Sequence, residues 1–334
     1  MQKDKKIGYI PPFTITPKIL HLVAEISEQV GAISVKLGNK MPSPMLRKEN
    51  QVKTIHSSLA IEHNSLSLAQ VTDIIDGKHV LGAPNEIQEV KNAIQAYQLM
   101  AQLDAFDEKD LLRAHGLMMQ FLVKNAGHYR NESVGVFDGG KCIHMGPSAL
   151  MVPQLMGQLF EWIKTTNVHP LISSCVFHYE FEFIHPFMDG NGRMGRYWQT
   201  MLLARWKGIF AWIPVETIVK AHQQEYYNAI AKSDAAGDST AFIEFMLNCL
   251  LSSVLEYKVA DKVADKVADK NLGNSELELI NLIKKNQNIT IKEMMNKTGR
   301  SDSGIRKILG ELKQKGILER VGANKNGYWK LLEI

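Results

Sequence analysis

The sequence predicts a mainly α-helical protein in two parts: a helical body carrying one short β-hairpin, then a small module of three helices and a hairpin. Three observations lead there. Apolar residues recur at three- and four-residue spacing through most of the body. One stretch, 127–147, breaks that rhythm with strand-forming residues around a glycine turn. A four-residue repeat at 258–270, KVADKVADKVADK, separates a nearly neutral body from a basic tail.

Pro11 and Pro12 mark an extended lead into the first helix, whose inner face is Ile19, Leu22, Val23, Ile26 and Val30. A second helix is expected over about 47–62, ending at His63, Asn64 and Ser65, and another over about 86–102. Leu155, Met156, Leu159, Phe160 and Ile163 give one helical face to 154–164. In the hairpin, Val134, Val136 and Phe137 form one strand, Asp138, Gly139 and Gly140 the turn, and Cys142 and Ile143 the return, stopped by Gly146 and Pro147. The KVAD repeat reads as a helical spacer or a solvated linker. Its valines, every fourth residue, offer a weak self-association stripe, so a homodimer is a candidate assembly. Beyond it come an amphipathic helix capped by Asn274 or Ser275, a short helix stopping at Gly299, and a third stopping at Gly316. Two strands follow around Asn324, Lys325, Asn326 and Gly327. Three helices and a hairpin, with a basic third helix, resemble the winged-helix family. The expected domains are an N-terminal helical region at 1–100, a core at 101–257, a linker at 258–271 and the winged helix at 272–334.

At 334 residues the chain exceeds the usual single-domain length, and 45% apolar with 22% charged residues is an ordinary globular balance. No apolar run is expected to reach the ~18–20 residues that cross a bilayer. The most apolar late stretch, 241–257, is interrupted by Glu244, Asn248 and Glu256. The start, MQKDKKIGYIPPF, has basic residues with no apolar run after them, so no secretory leader is expected. Cys142, Cys175 and Cys249 are too few and too far apart for a disulfide framework or a zinc site. A cytoplasmic protein with no membrane partner is the expectation. The net charge of +4 is unevenly spread: residues 271–334 hold 12 Lys/Arg against 7 Asp/Glu, so the rest nets −1. That hints at a polyanion partner for the tail.

The chemistry-bearing run is HPFMDGNGRMGR, 185–196. The helix LISSCVFHYEFEFI leads in from Leu171 and is ended by Pro186, and a second helix leaves from Arg193. The loop between them therefore sits at a helix N-terminus, where backbone N–H groups and the dipole favour an anion such as phosphate. Gly190 and Gly192 around Asn191 suit an amide nest. Arg193 and Arg196, with Met194 and Gly195 between them, share one helix face and reach phosphate oxygens together. Asp189 is placed to hold a hard cation such as Mg²⁺. His185 accepts a proton near neutral pH. Together these describe transfer of a phosphorus-centred group from a nucleotide.

This run resembles the Fic signature HxFx[D/E]GNGRxxR at every defined position, and the likeness extends over about 10–257. The resemblance implies a Fic-type helical bundle with the hairpin as its flap. It implies that AMP moves from ATP, with Mg²⁺, to a Ser, Thr or Tyr hydroxyl of a protein substrate, the chain itself included, with release of pyrophosphate. On that reading His185 is the base, Asp189 the Mg²⁺ ligand, and Gly190, Asn191 and Gly192 the phosphate cradle. Arg193 positions phosphate and Arg196 meets the γ-phosphate. The backbone of Lys141, Cys142, Ile143 and His144 lines the nucleotide, and Tyr226 and Tyr227 resemble the pair near the adenine. A structural hairpin and a core aromatic stripe are the plainer alternatives for those two features. Where family members often carry Asn seven residues after the second tyrosine, this chain has Asp234.

The segment SLAIEHN, 58–64, resembles the family's inhibitory motif [S/T]xxxE[G/N] through Ser58 and Glu62, with His63 where Gly or Asn is usual. The resemblance implies that Glu62 pairs with Arg196 in place of the γ-phosphate, an interaction worth about 1–3 kcal/mol. An ordinary surface salt bridge is the plainer alternative, and removal of AMP a second activity that the same glutamate could support. In the tail, Arg300, Arg306, Lys307, Lys313 and Lys315 cluster around the third helix, and Arg320, Lys325 and Lys330 lie on the wing. DNA binding and protein interaction stand as equal alternatives there, and a DNA-binding regulator with a nucleotide-sensing body is the competing reading of the whole chain.

Overall fold

The computed structural model describes residues 9–38, 41–138, 141–269, 273–322 and 327–332. The chain divides into two compact units, Met1–Tyr257 and Lys258–Ile334.

In the first unit α1 (Pro17–Leu37) begins at Thr16, whose hydroxyl accepts from the Ile19 N–H, and buries Ile19, Leu22, Ile26, Val30 and Ile33. Helix α2 (Pro44–Ile61) starts three residues earlier than its apolar pattern suggests, because Ser43 caps it and Pro44 suits the first turn. Then come α3 (Leu68–Ile75), opened by a Ser67–Gln70 capping box, α4 (Pro84–Leu99), prolonged by a 3₁₀ turn at Met100–Gln102, and α5 (Glu108–Met118). Strands β1 (Gly135–Asp138) and β2 (Lys141–Met145) pair antiparallel, Val136 opposite His144 and Phe137 opposite Cys142, so Ile143 is the bulged residue. The turn residues Gly139 and Gly140 lie outside the described residues.

Helices α6 (Val152–Thr165), α7 (Pro170–Ile184), α8 (Asn191–Trp206), α9 (Val215–Ala221) and α10 (Gln223–Ala236) complete the bundle with α11 (Thr240–Asp269). The antiparallel pair α7–α8 is its axis. Both helices are buried nearly all round, and Phe177, Phe181, Tyr197 and Trp198 are among the largest side chains fully removed from solvent. Phe160 packs edge-on against Phe177 and Trp198.

Helix α11 corrects one expectation. By length and composition Thr240–Asp261 is apolar enough to cross a bilayer. Here its inner face is core: Phe242, Ile243, Met246, Leu247, Leu250, Val254 and Tyr257 are buried, and Asn248 and Glu256 face out. The helix continues through the KVAD repeat to Asp269, the side chains of 262–269 lying outside the described residues.

In the second unit α12 (Asn274–Lys285), α13 (Ile291–Thr298) and α14 (Asp302–Gln314) precede the antiparallel pair β3 (Leu318–Val321) and β4 (Tyr328–Leu331). This is a winged helix. Its core gathers Leu279, Ile283, Met294, Ile305, Leu309, Leu312 and Trp329, with the Trp329 indole N–H donating to the Ile289 carbonyl. The cap of α12 is Gly273, not Asn274 or Ser275: its N–H donates to the Glu276 carboxylate at 2.8 Å. Residues 323–326, and so Lys325 and most of the wing turn, lie outside the described residues.

The extended segment ahead of α1 is strapped to the bundle. Ser239 donates from its N–H and hydroxyl to the Pro12 carbonyl, and the Tyr9 hydroxyl donates to Glu180 on α7 at 2.7 Å. Burial pushes the Glu180 carboxyl from 4.5 up to about 7, and the Tyr9 hydrogen bond offsets only part of that. A carboxyl that keeps its proton in the fold after the unfolded chain has lost it stabilises most at low pH. Stability from Glu180 should be full below about pH 4.5, decline by about 3 kcal/mol as pH rises to 7, and stay flat above. Thermal midpoints of wild type and Glu180→Gln across pH 4–8 check this: the decline should be absent from the variant.

Candidate active site

The site is built on the turn between α7 and α8. His185 closes α7 with φ +50°, a left-handed conformation that costs a non-glycine residue about 1 kcal/mol, while its N–H still donates to the Phe181 carbonyl at 2.9 Å. Gly190, at φ +84°, starts α8, and a Cβ there would sit 2.6 Å from Met119 Sδ. Helix α8 therefore begins at Asn191, two residues before the expected start at Arg193. Gly192 lies inside its first turn, and of the two glycines only Gly190 uses a positive φ. The first N–H groups of α8 are left without helical acceptors and face the place where an anion would sit.

Asn191 fixes the loop's shape. Its amide accepts from the Phe187 N–H and donates to the Phe187 carbonyl, both at 2.9 Å, and it is buried. Its contribution to an anion cradle is thus its backbone alone. Phe187 stacks on His115 with ring centroids 3.6 Å apart. His115 receives the Gly127 N–H on Nδ1 and lies 3.1 Å from the Asp189 carbonyl through Nε2, so it reads as the Nε2–H tautomer. Burial pushes its pKa down to about 4, which keeps it neutral. The motif gives no hint of His115, because it reaches the loop from 74 residues away.

His185 is half-buried. Its Nδ1 lies 3.3 Å from the Glu182 carbonyl, and with the proton on Nδ1 the basic lone pair is on Nε2. The Asp189 carboxylate is half-exposed and accepts from the Gly190 N–H and, at 3.0 Å, from Arg193. Arg193 is held from its other side by Glu89 at 2.9 Å, and Glu89 in turn accepts from Asn64.

Arg196 is the deepest charge. Its side chain is 2% exposed, and it donates to the Ser58 carbonyl at 3.0 Å, the Ser58 hydroxyl at 3.3 Å and Glu62 at 2.8 Å. Burial, the largest influence, disfavours the charged guanidinium, but Glu62 together with Tyr226 and Glu182 outweighs it and the net direction is up. Arg196 Nη1 is buried with no hydrogen-bond partner among the described residues. A Cβ on Gly192 would collide with Glu62 Oε1, so this glycine is what lets the carboxylate lie over the first turn of α8. Behind Arg196, burial raises the Glu182 pKa and the His178, His185 and Arg196 charges lower it further, for a net shift down. Gly195 leaves room for Glu182, whose Oε1 would be 2.6 Å from a Cβ there, and Met194 is core.

The geometry also explains His63. Helix α2 ends in a Schellman motif: the Asn64 N–H reaches the Leu59 carbonyl at 3.1 Å, the His63 N–H reaches Ala60 at 3.3 Å, and His63 takes φ +69°. That position is cheapest for Gly or Asn, the residues usual in the resembling motif. The end of α2 is also held from α9 and α10, where Lys220 donates to the Ala60 carbonyl at 2.8 Å and Gln223 to Ile61 at 3.0 Å.

The tyrosine pair splits. Tyr226 is 2% exposed, packed among Phe242 and Phe245 and bonded to His178 at 3.2 Å, the core placement that stood as the plainer alternative for it. Tyr227 is 41% exposed and presents surface beside the end of α2. Asp234 accepts from the Tyr179 hydroxyl at 2.8 Å, a tie within the bundle. Lys141, Cys142, Ile143 and His144 form β2, which runs beside α10; their side chains lie outside the described residues.

Comparisons agree with this architecture. A model of the Fic/DOC family matches residues 105–203, and one described as winged helix-turn-helix DNA-binding matches 274–319. The crystal structure of a Fic family protein from Desulfovibrio desulfuricans G20 is 42% identical, covers 98% of this chain and 99% of its own, and superposes with a TM-score of 0.72. Protein adenylyltransferase Fic of Aedes aegypti is 29% identical over 236 residues, 67% of this chain and 45% of that protein. Its namesake from Culex quinquefasciatus is 31% identical over 60% of this chain and 40% of its own length. The chain therefore spans less than half the length of these two relatives. It belongs to the Fic family.

Replacing Asn191 by Ala leaves the buried Phe187 N–H and carbonyl without their partners. Asn191→Ala should destabilise the first unit by about 2–4 kcal/mol, read in denaturant unfolding.

Proposed function

We propose that this chain is a protein adenylyltransferase held in a resting state by its own glutamate. The observation that carries the reading is the Arg196–Glu62 pair lying over Gly192 at the N-terminus of α8. A carboxylate there occupies ground suited to a phosphate, and a buried guanidinium exchanges one anion for the other.

ATP would lie with its phosphates on the first turn of α8, Arg193 and Arg196 balancing their charge. His185 accepts the proton of a Ser, Thr or Tyr hydroxyl. The hydroxyl oxygen bonds to the α-phosphorus as the bond from that phosphorus to the bridging oxygen of the β-phosphate breaks. Pyrophosphate leaves, and AMP stays on the protein. Asp189 fits a Mg²⁺ ion in kind. Its carboxylate is a half-exposed hard oxygen donor beside the phosphate ground, and Mg²⁺ commonly takes one or two carboxylates plus substrate phosphates and waters. When bound, the ion would neutralise phosphate charge. The names of the Aedes and Culex relatives support the reaction class.

Intact-protein mass after incubation with ATP and Mg²⁺ tests this. Glu62→Gly should gain the mass of one or more AMP groups on itself or on an added lysate protein, wild type about ten- to a hundredfold less. Adding His185→Ala should abolish the gain. Labelling that survives His185→Ala would sink the mechanism.

For the second unit we propose DNA as partner, with α14 in the major groove and the strand pair on the backbone. The family match supports this. Three of the counted charges already have acidic partners: Arg300 with Glu278, Arg306 with Asp302 and Lys315 with Glu276. Lys307, exposed on α14, is the better probe. Lys307→Glu should weaken duplex binding in a fluorescence titration and make its salt dependence shallower by about one charge or more; an unchanged salt slope would argue for a protein partner.

A further inference from the structure

Arg130 lies between the hairpin and the catalytic turn and is 2% exposed. Among the described residues every acceptor of its guanidinium is a backbone carbonyl. Nε donates to His185 at 2.8 Å, Nη1 to Glu132 at 2.9 Å, and Nη2 to Pro147 at 2.5 Å and Ile184 at 3.3 Å. Its own N–H donates to the Pro186 carbonyl at 2.9 Å.

These four carbonyls are not a random set. Ile184 and His185 end α7, where the last carbonyls lack helical partners and the dipole is negative, so a buried cation there is favoured. Glu132 precedes β1 and Pro147 follows β2, so they are the two feet of the hairpin. The close fit is visible from the other side as well: a Cβ on Gly146 would sit 3.0 Å from Arg130 Nη2. One rigid planar group thus joins both feet of the hairpin to the carbonyl of the left-handed histidine. Lysine could not substitute, since one ammonium cannot reach four carbonyl acceptors spread as this fork spreads them.

The two-stranded sheet β1–β2 leaves each strand one edge unpaired within the sheet, which an extended target segment can join by strand addition. We propose that Arg130 is a positioning residue that sets the hairpin and His185 in one frame, so that a target segment added to that edge brings its hydroxyl to the histidine. The rate part of this proposal rests on the adenylyl-transfer reading; the mechanical part does not. Arg130 touches neither reactant and acts through backbone geometry, so a small displacement is enough to lose rate.

The test has two arms. Hydrogen exchange on the full chain compares wild type, Arg130→Lys and Gly146→Ala, the last keeping the arginine and crowding it. In Arg130→Lys, amide exchange at 135–138, 141–145 and at His185 and Phe187 should rise together by about tenfold or more, the factor one charge-assisted hydrogen bond is worth, with α11 unchanged. Gly146→Ala should show the same pattern at smaller size, which keeps the test alive if Arg130→Lys folds poorly. In the Glu62→Gly background, Arg130→Lys should lower kcat for AMP transfer about a hundredfold with ATP affinity unchanged within about twofold. Exchange that rises at the hairpin without the histidine turn, or at neither, overturns the proposal, as does full kcat with both regions loosened. If Glu62→Gly alone transfers no AMP, the reaction reading fails and the exchange arm still decides the coupling.

Discussion

The site depends on one buried cation. Arg196 sits on the helix that forms the axis of the bundle, almost wholly out of water, and a guanidinium there is tolerable only beside an anion. Glu62 supplies it. Removing one partner of such a pair commonly costs about 3–5 kcal/mol because the other is left buried and uncompensated. On the proposed reading a phosphate in the same place avoids that penalty, so nucleotide and glutamate would be alternatives for one charge. The pair is also lopsided: Arg196 is 2% exposed and Glu62 is 31% exposed. The cation is fixed and the anion can leave toward solvent.

Around that charge the backbone is held in shapes it would not choose. His185 and His63 both take left-handed conformations, and each is over-determined by hydrogen bonds on both sides. Gly190 starts α8 where a side chain would strike Met119, and Asn191 ties the loop to Phe187 through two bonds. The α8 N-terminus, the histidine and the arginines are therefore already placed, and in the proposed reaction such preorganisation is where transfer chemistry gains most of its rate.

Much of this was legible in the sequence because the motif is contiguous. Base, carboxylate, glycines and arginines fall within twelve residues, and the Glu62–Arg196 pair follows from a second short motif. What was not legible comes from distant chain. A Gly-Asn-Gly run reads as a turn, and nothing local says that Gly192 belongs inside a helix to make room for a glutamate from α2. His115 and Arg130 are single residues in unremarkable stretches, and only the fold shows that they bind loop carbonyls. Tyr226 looked like half of a pair, but α10 turns it into the core. The basic tail looked like one patch because sequence counts charges and not partners; Glu276, Glu278 and Asp302 neutralise part of it.

On the proposed reading, admitting a phosphate moves a side chain rather than a helix. The end of α2 is set independently of the Glu62 carboxylate, by its Schellman bonds, by Lys220 and Gln223 on its last carbonyls, and by Asn64 reaching Glu86 and Glu89. Lys220 also places a positive charge at the negative end of the helix dipole. Swinging one half-exposed carboxylate off Arg196 breaks a single ion pair, whereas displacing the helix would break all of these contacts together. Arg196 also has two bonds to Ser58 that do not involve Glu62, and these aim the guanidinium independently of its anion. On the proposed reading the resting state is set by the chemistry of one residue, since none of the contacts that hold the end of α2 uses the Glu62 carboxylate.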